Sequence, residues 1–158
     1  EIDMVIAARP DSLPEGLLYH EITTTRLIFI APRESQQYDE LLSTDPLPWR
    51  EIPLILAEQG LARRRLDTWF RAMEIQPNIY ANVSGNEAIL TMVSLGAGIG
   101  LVNARVLAKG PVRDNVRVLG PKPPLKPYSV GLCTKQRKLL QRQVSALWDL
   151  AADSSDTA

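Results

Sequence analysis

Three features of this 158-residue chain predict an α/β fold. Short apolar runs such as Met4–Ala8 have the length of buried strands rather than helices. Between residues 54 and 102 the patterns alternate as strand, helix, strand, helix, strand, which predicts right-handed crossovers and mostly parallel sheets. Apolar residues make up 45% of the chain and charged residues 23%, the balance of a folded domain and not of a disordered one.

In chain order, the apolar run Met4–Ala8 stops at Arg9-Pro10 and reads as a buried strand, and Pro10, Pro14 and Gly16 mark a turn-rich loop. Residues 17–24 and 26–31 read as two further strands, the second nearly all apolar, as strands covered on both faces are. Residues 37–42 carry a weak helical pattern, and residues 54–57 another short buried strand. Leu66, Trp69, Phe70 and Met73 fall at i, i+3, i+4 and i+7, the stripe of an amphipathic helix over 61–73. Residues 79–83 form a strand, after which Ser84-Gly85-Asn86-Glu87 has the form of a capping box. The helix it opens turns Ile89, Met92 and Val93 inward and stops at Gly96, a left-handed cap. Residues 99–102 and 116–119 are strands; Pro121, Pro123, Pro124 and Pro127 form a stiff connector; residues 128–133 are the last strand. Leu140, Val144, Leu147, Trp148 and Ala151 share one face of a final helix, and the small polar residues from Asp153 to Ala158 are expected to fray.

Charge and rare residues exclude several functions. Lys plus Arg equals Asp plus Glu at 18 each, so no overall basic field is present to hold a nucleic acid backbone. One cysteine, Cys133, and one histidine, His20, allow neither an internal disulfide nor a Cys/His zinc cluster. The apolar runs fall well short of the roughly 20 residues of a membrane helix. A chain that opens in mid-strand with no leader reads as part of a longer cytoplasmic polypeptide, with no membrane association, no metal and no cofactor.

No catalytic constellation assembles. Gly96, Gly98 and Gly100 follow a helix and precede a strand, the reverse of a dinucleotide fingerprint, so they read as a helix stop and close packing. His20 lies in a strand without a partner histidine or cysteine, and Cys133 reads as a small core residue. No serine has a nucleophile-elbow context. The run Arg63-Arg64-Arg65 is more informative. At about 100° per residue, Arg63 lies roughly 60° from Leu66, beside Phe70, while Arg64 points away from the apolar stripe. Arg64 and Arg65 read as a solvated face. Arg63 stands at the edge of the buried face in the first turn, where unpaired N–H groups and the positive helix end suit a carboxylate. The same holds at Ser84 to Glu87. Two helix N-termini that follow two parallel strands open on one sheet edge, where α/β sheets bind ligands.

These segments carry a resemblance. Glu1-Ile2-Asp3-Met4-Val5-Ile6 resembles a segment of the LysR-type transcriptional regulators, and Pro48-Trp49-Arg50-Glu51-Ile52-Pro53-Leu54-Ile55 looks like their domain-linking stretch. Val83-Ser84-Gly85-Asn86-Glu87-Ala88, continuing through Met92-Val93-Ser94-Leu95-Gly96-Ala97-Gly98-Ile99-Gly100-Leu101-Val102, is similar to their best-marked motif. The resemblance covers nearly the whole chain. It implies a periplasmic-binding-protein-like (type 2) effector domain of two lobes: 1–31 plus 125–158 as an incomplete first lobe, and 32–124 as the second. It implies a ligand site in the cleft, with Gln59, Gly60, Ser84, Gly85 and Asn86 on one side and Ala7 and Ala8 on the other, no catalytic residue, and Arg63 suited to the ligand's carboxylate. Residues 59–71 and 79–83 resemble a branch of the family that controls branched-chain amino-acid synthesis. That implies acetolactate or acetohydroxybutyrate, a small 2-hydroxy-3-keto acid, as co-inducer, with Asn86 and Gln59 donating to its hydroxyl and keto oxygens. Family members act as dimers or tetramers, and operator DNA and RNA polymerase would be partners only of the full-length protein. The DNA-binding part, the linker helix and the start of the first lobe would lie outside this chain. Asn103 stands where the family usually has proline. A solute-binding protein of a transporter on the same fold is the alternative; an enzyme on this fold, such as a tetrapyrrole deaminase, would need a cofactor-bearing cysteine that Cys133 does not suit.

Overall fold

The computed structural model describes residues 2–120 and 124–155. The chain divides into two compact units, residues 1–25 with 127–158 and residues 26–126.

The first unit contains strands β1 (Met4–Ala8) and β2 (Leu17–Thr25) and receives from the far end of the chain β8 (Tyr128–Lys135) and helix α5 (Arg142–Ser155). β8 lies between β1 and β2 and is antiparallel to both. Its central position buries Leu132, Cys133 and Thr134. Burial pushes the Cys133 thiol above its ordinary value, the behaviour of a core residue. β1 is not the buried strand its apolar run predicts: it forms one edge of this sheet, and Val5 and Ile6 are exposed. On α5 only part of the expected stripe turns inward. Val144 is buried and Trp148 meets His20 edge-on with ring centres 5.9 Å apart, whereas Leu147 is exposed. Leu140 is 90% exposed, because residues Gln136–Leu140 form a separate 3₁₀ turn and α5 begins two residues later in a different phase. Lys138 of that turn reaches Asp3 at 2.6 Å, and Thr134 Oγ1 donates to the Asp3 carbonyl at 2.6 Å.

The second unit contains β3 (Leu27–Pro32), α1 (Gln36–Leu42), β4 (Pro53–Ala57), α2 (Leu61–Ala72), β5 (Asn78–Val83), α3 (Asn86–Ser94), β6 (Ile99–Asn103), α4 (Ala104–Lys109) and β7 (Val116–Leu119). The sheet order is β5-β4-β6-β3-β7. β4 is parallel to β5 and to β6, as the alternating pattern predicts. β3, however, runs antiparallel to both β6 and β7, so this sheet is mixed and the first unit's sheet wholly antiparallel, not mostly parallel. An apolar run reports burial on both faces but not the direction of its neighbours. The pairing of β3 also places 26–31 in the second unit, so the boundary falls at residues 25/26 rather than 31/32, and the return at 126/127. Pro48 to Ile55, expected to link domains, lies wholly in this unit, with Trp49 and Ile52 buried. Pro121 and Pro123 of the expected connector lie outside the described residues.

Both faces of the mixed sheet are covered. Strand alternation sends Phe29 and Ile30 to opposite sides. Ile30, Ile55 and Val102 pack with Ile89, Leu90 and Val93 of α3 and Leu107 of α4. On the other face Phe29, Trp49, Trp69 and Phe70 form an aromatic cluster with ring centres 4.9–6.1 Å apart. α3 comes so close to β6 that a Cβ at Gly100 would strike Ile89 and would lie 2.9 Å from Val93. α3 ends in a Schellman motif: Gly96, at φ 84°, donates to Val93 (2.9 Å) and Ala97 to Met92 (3.1 Å), the cap expected at Gly96. Asn103 explains the turn after β6 without a proline. Its side chain accepts from the Arg105 amide at 2.8 Å and caps α4, a short helix that the periodicity does not reveal.

Among the described residues no helix is long and apolar enough to cross a membrane, and no group of three or more His, Cys, Asp or Glu could hold a metal ion.

Two outcomes follow from this packing. Gly100→Ala should destabilise the protein by about 1–3 kcal/mol in denaturant unfolding, since the added methyl would press on Ile89 and Val93, both fully buried. Lys138 beside Asp3, hydrogen-bonded and oppositely charged, holds the Asp3 carboxyl below its ordinary value. The pair therefore stabilises the fold above the usual carboxylate range, and this contribution disappears as pH falls through the lowered folded value. Thermal melts of the protein and of Asp3→Asn should differ at neutral pH and converge in strong acid.

Candidate functional site

Because β4 and β5 are parallel neighbours with Ala57 opposite Val83, the helices that follow them begin at the same edge of the sheet. α2 starts after Gly60 and α3 after Gly85, and both glycines are the N-caps, at φ 107° and φ 88°. Neither helix start has a side-chain cap hydrogen bond. Left-handed backbone is open to glycine at little cost, and here it turns the chain sharply from strand into helix. Glycine brings no capping oxygen, so the first amides of both helices face outward without a side-chain acceptor.

The expected capping box is therefore not formed. Gly85 takes the N-cap position, Ser84 stands one residue outside the helix, and Glu87 is the second helical residue instead of the third. The displacement frees the Ser84 hydroxyl from a structural role and leaves the amide end of α3 more open than a box would.

Gln59, Gly60, Ser84 and Gly85 are exposed and Asn86 is half-buried, so this is an open edge with backbone and neutral side-chain donors. Glu58 donates its amide to the Val83 carbonyl at 3.1 Å, which ties the two strand-to-helix loops together. Arg63 is half-buried as its helical position predicts, and its guanidinium is bonded in three directions. Nε meets Asp67 Oδ1 at 2.9 Å, while Nη1 donates to the Ala57 carbonyl at 3.0 Å and to Asn82 Oδ1 at 2.5 Å. Arg63 thus pins the first turn of α2 to the ends of β4 and β5 and puts its positive charge at this edge. Arg64 is exposed, as expected, but Arg65 is half-buried and donates to the Lys126 carbonyl at 3.0 Å.

Gln59, Gly60, Arg63, Ser84, Gly85 and Asn86 all lie at these two loops and helix starts. Ala7 and Ala8 belong to the first unit, half-buried on β1 opposite Gly131 and Val130. Sequence reasoning missed Asn82. A guanidinium only donates, so the Asn82 amide must offer its oxygen to Arg63, which leaves its NH₂ as a donor at the same edge. The available signal was a polar side chain at the C-terminal end of a parallel strand, two residues before Ser84.

Replacing Arg63 by methionine, which keeps the stem and deletes the fork, should cost about 1–2 kcal/mol of unfolding free energy without any ligand. Equal stability of Arg63→Met and the parent would show that the three bonds contribute nothing to the fold.

Comparison with known proteins bears on what this edge serves. The chain is 35% identical over 149 residues to the HTH-type transcriptional activator IlvY of Haemophilus influenzae, covering 94% of this chain and 51% of that protein. It is 33% identical over 153 residues to the HTH-type transcriptional regulator IlvY of Escherichia coli, covering 95% and 52%. The chain therefore spans about half the length of the curated relatives it matches. Among solved structures it is similar to the effector binding domain of QuiR in complex with shikimate, with a TM-score of 0.77, 20% identity, and coverage of 98% of this chain and 72% of that one. The regulatory domain of Synechocystis PCC6803 CcmR in complex with 2-PG gives a TM-score of 0.81 at 19% identity, with coverage of 99% and 75%. These likenesses establish the fold, the periplasmic-binding-protein-like fold of effector domains in this class of regulators. A model of the LysR substrate binding domain matches residues 1–156. The chain belongs to the LysR substrate binding domain family.

Proposed function

We propose that this chain is the small-molecule-sensing domain of a LysR-type transcriptional activator acting in the cytoplasm, and that it does no chemistry of its own. Its ligand in this reading is acetolactate or acetohydroxybutyrate, so that the regulator controls branched-chain amino-acid synthesis. The observation that carries the reading is the pair of uncapped helix starts at Gly60 and Gly85, side by side at the end of two parallel strands with Arg63 between them. Outward N–H groups at two positive helix ends, with a guanidinium held beside them, suit one small carboxylate. The hydroxyl and keto oxygens of a 2-hydroxy-3-keto acid call for neutral donors, which Gln59, Asn86 and the Ser84 hydroxyl supply. Relatives named as transcriptional regulators favour this reading over a solute-binding protein of a transporter. The solved neighbour holding shikimate, a hydroxylated carboxylate, is in keeping with an acid ligand. Operator DNA, RNA polymerase and assembly into dimers or tetramers belong, in this proposal, to the full-length protein. The ligand acts there through whatever difference in affinity it has for two states of the regulator.

Calorimetric titration of acetolactate into the full-length protein tests this. Saturable binding of one ligand per subunit, with pyruvate much weaker, is the expected result. Arg63→Met should weaken it by on the order of 1.5–3 kcal/mol, as loss of a charged partner does. Ser84→Ala should lose affinity while its unfolding free energy stays within about 0.5 kcal/mol, since Ser84 caps nothing. Absence of heat and of any thermal shift would sink the named ligand, and unchanged affinity in Arg63→Met would remove Arg63 from the site.

A further inference from the structure

A second cavity lies on the same unit, in the groove between α3 and α4, and none of the residues assigned to the ligand above lines it. It is a cavity of about 410 Å³. Its floor is apolar, made by buried Leu90 with half-buried Val106 and Val112. The volume falls in the range of small-ligand pockets, which combine an apolar surface with a few placed polar groups. Gly110 keeps it open: a Cβ there would lie 3.3 Å from Leu90 Cδ1 and 3.2 Å from the Val106 carbonyl.

The charges around this floor are of both signs. Glu87 on α3 and Lys109 on α4 both line the groove, and both are exposed. Neither makes an ion pair among the described residues, so they do not bridge the groove to each other. Arg105 adds a second positive charge on the α4 side. A simple carboxylic acid would meet the cations but bring its charge near Glu87. A simple amine would meet Glu87 but face two cations. A molecule with an ammonium and a carboxylate on one carbon and an aliphatic tail carries a charge of the right sign for each rim and an apolar part for the floor.

We propose that the groove between α3 and α4 binds an aliphatic α-amino acid as a zwitterion. The ammonium meets Glu87, the carboxylate meets Lys109, and the side chain lies on Leu90, Val106 and Val112. Glu87 also connects this groove to the start of α3: its Oε2 is 3.5 Å from where a Cβ on Gly85 would stand.

The test titrates L-norleucine and its two single-charge relatives, hexanoate and pentylamine, into the full-length protein and follows the amide resonances. Norleucine should give saturable shifts centred on Leu90, Thr91, Lys109 and Gly110, with hexanoate and pentylamine at least tenfold weaker. Glu87→Gln should reduce norleucine to the level of hexanoate, and Lys109→Gln to that of pentylamine. Both side chains are exposed, and the spectra of the variants themselves report whether the fold is kept. Hexanoate binding as tightly as norleucine, shifts centred elsewhere, failure to saturate, or a Glu87→Gln variant that binds norleucine unchanged would each overturn the proposal.

Discussion

A sheet that must be covered on both faces, with one helix drawn down until its side chains touch bare backbone, governs the second unit. Gly100 lets Ile89 and Val93 rest against β6, and this contact sets the height and direction of α3. On the opposite face Trp49, Trp69 and Phe70 fix α2 in the same way. With both helices held by packing along their length, their first turns need no stabilising cap. Glycine can therefore occupy both N-cap positions, and the exposed amides remain available because stability comes from elsewhere. Had the helices depended on their ends for stability, a side-chain oxygen would have occupied the space in which the proposed ligand sits.

Arg63 shows how a sequence can place a residue on its helix and leave its bonds unread. Helical phase correctly put it at the edge of the buried face, where its charge could meet an anion. Its bonds to Ala57 and Asn82 depend on where β4 and β5 end, which no local pattern encodes. The same limit applied to the capping box, since Ser-x-x-Glu is compatible with a helix starting at more than one position. The positive φ of Gly85 decided between them. Periodicity therefore located β4, α2, β5 and α3 to within two residues, while the orientation of individual polar groups emerged only from contacts across strands.

Most elements were legible because their signals are local: the α2 stripe, the apolar strands β3, β4 and β6, and the glycine stop of α3. Strand direction was not. The apolar run of β3 reads the same whether its neighbours are parallel or antiparallel, and that ambiguity displaced the boundary between the units. α4 escaped because six residues hold too few periods to show a stripe, although Asn103 before a run of good helix formers was a usable signal. In the first unit Leu140 joined the stripe of α5 on paper, and the intervening 3₁₀ turn rotated it out to solvent.

The burial of Cys133 gives the molecule a built-in reporter. It is the chain's single cysteine, set in the central strand of the first unit with 7% of its surface accessible. With so little surface accessible, a thiol reagent reacts with it far faster when that three-stranded sheet opens, so the labelling rate follows the opening of the first unit. Trp49 and Trp69 sit together in the second unit and supply an optical signal dominated by that unit. Thiol protection and indole emission, followed side by side, would reveal whether the two units open together or one before the other.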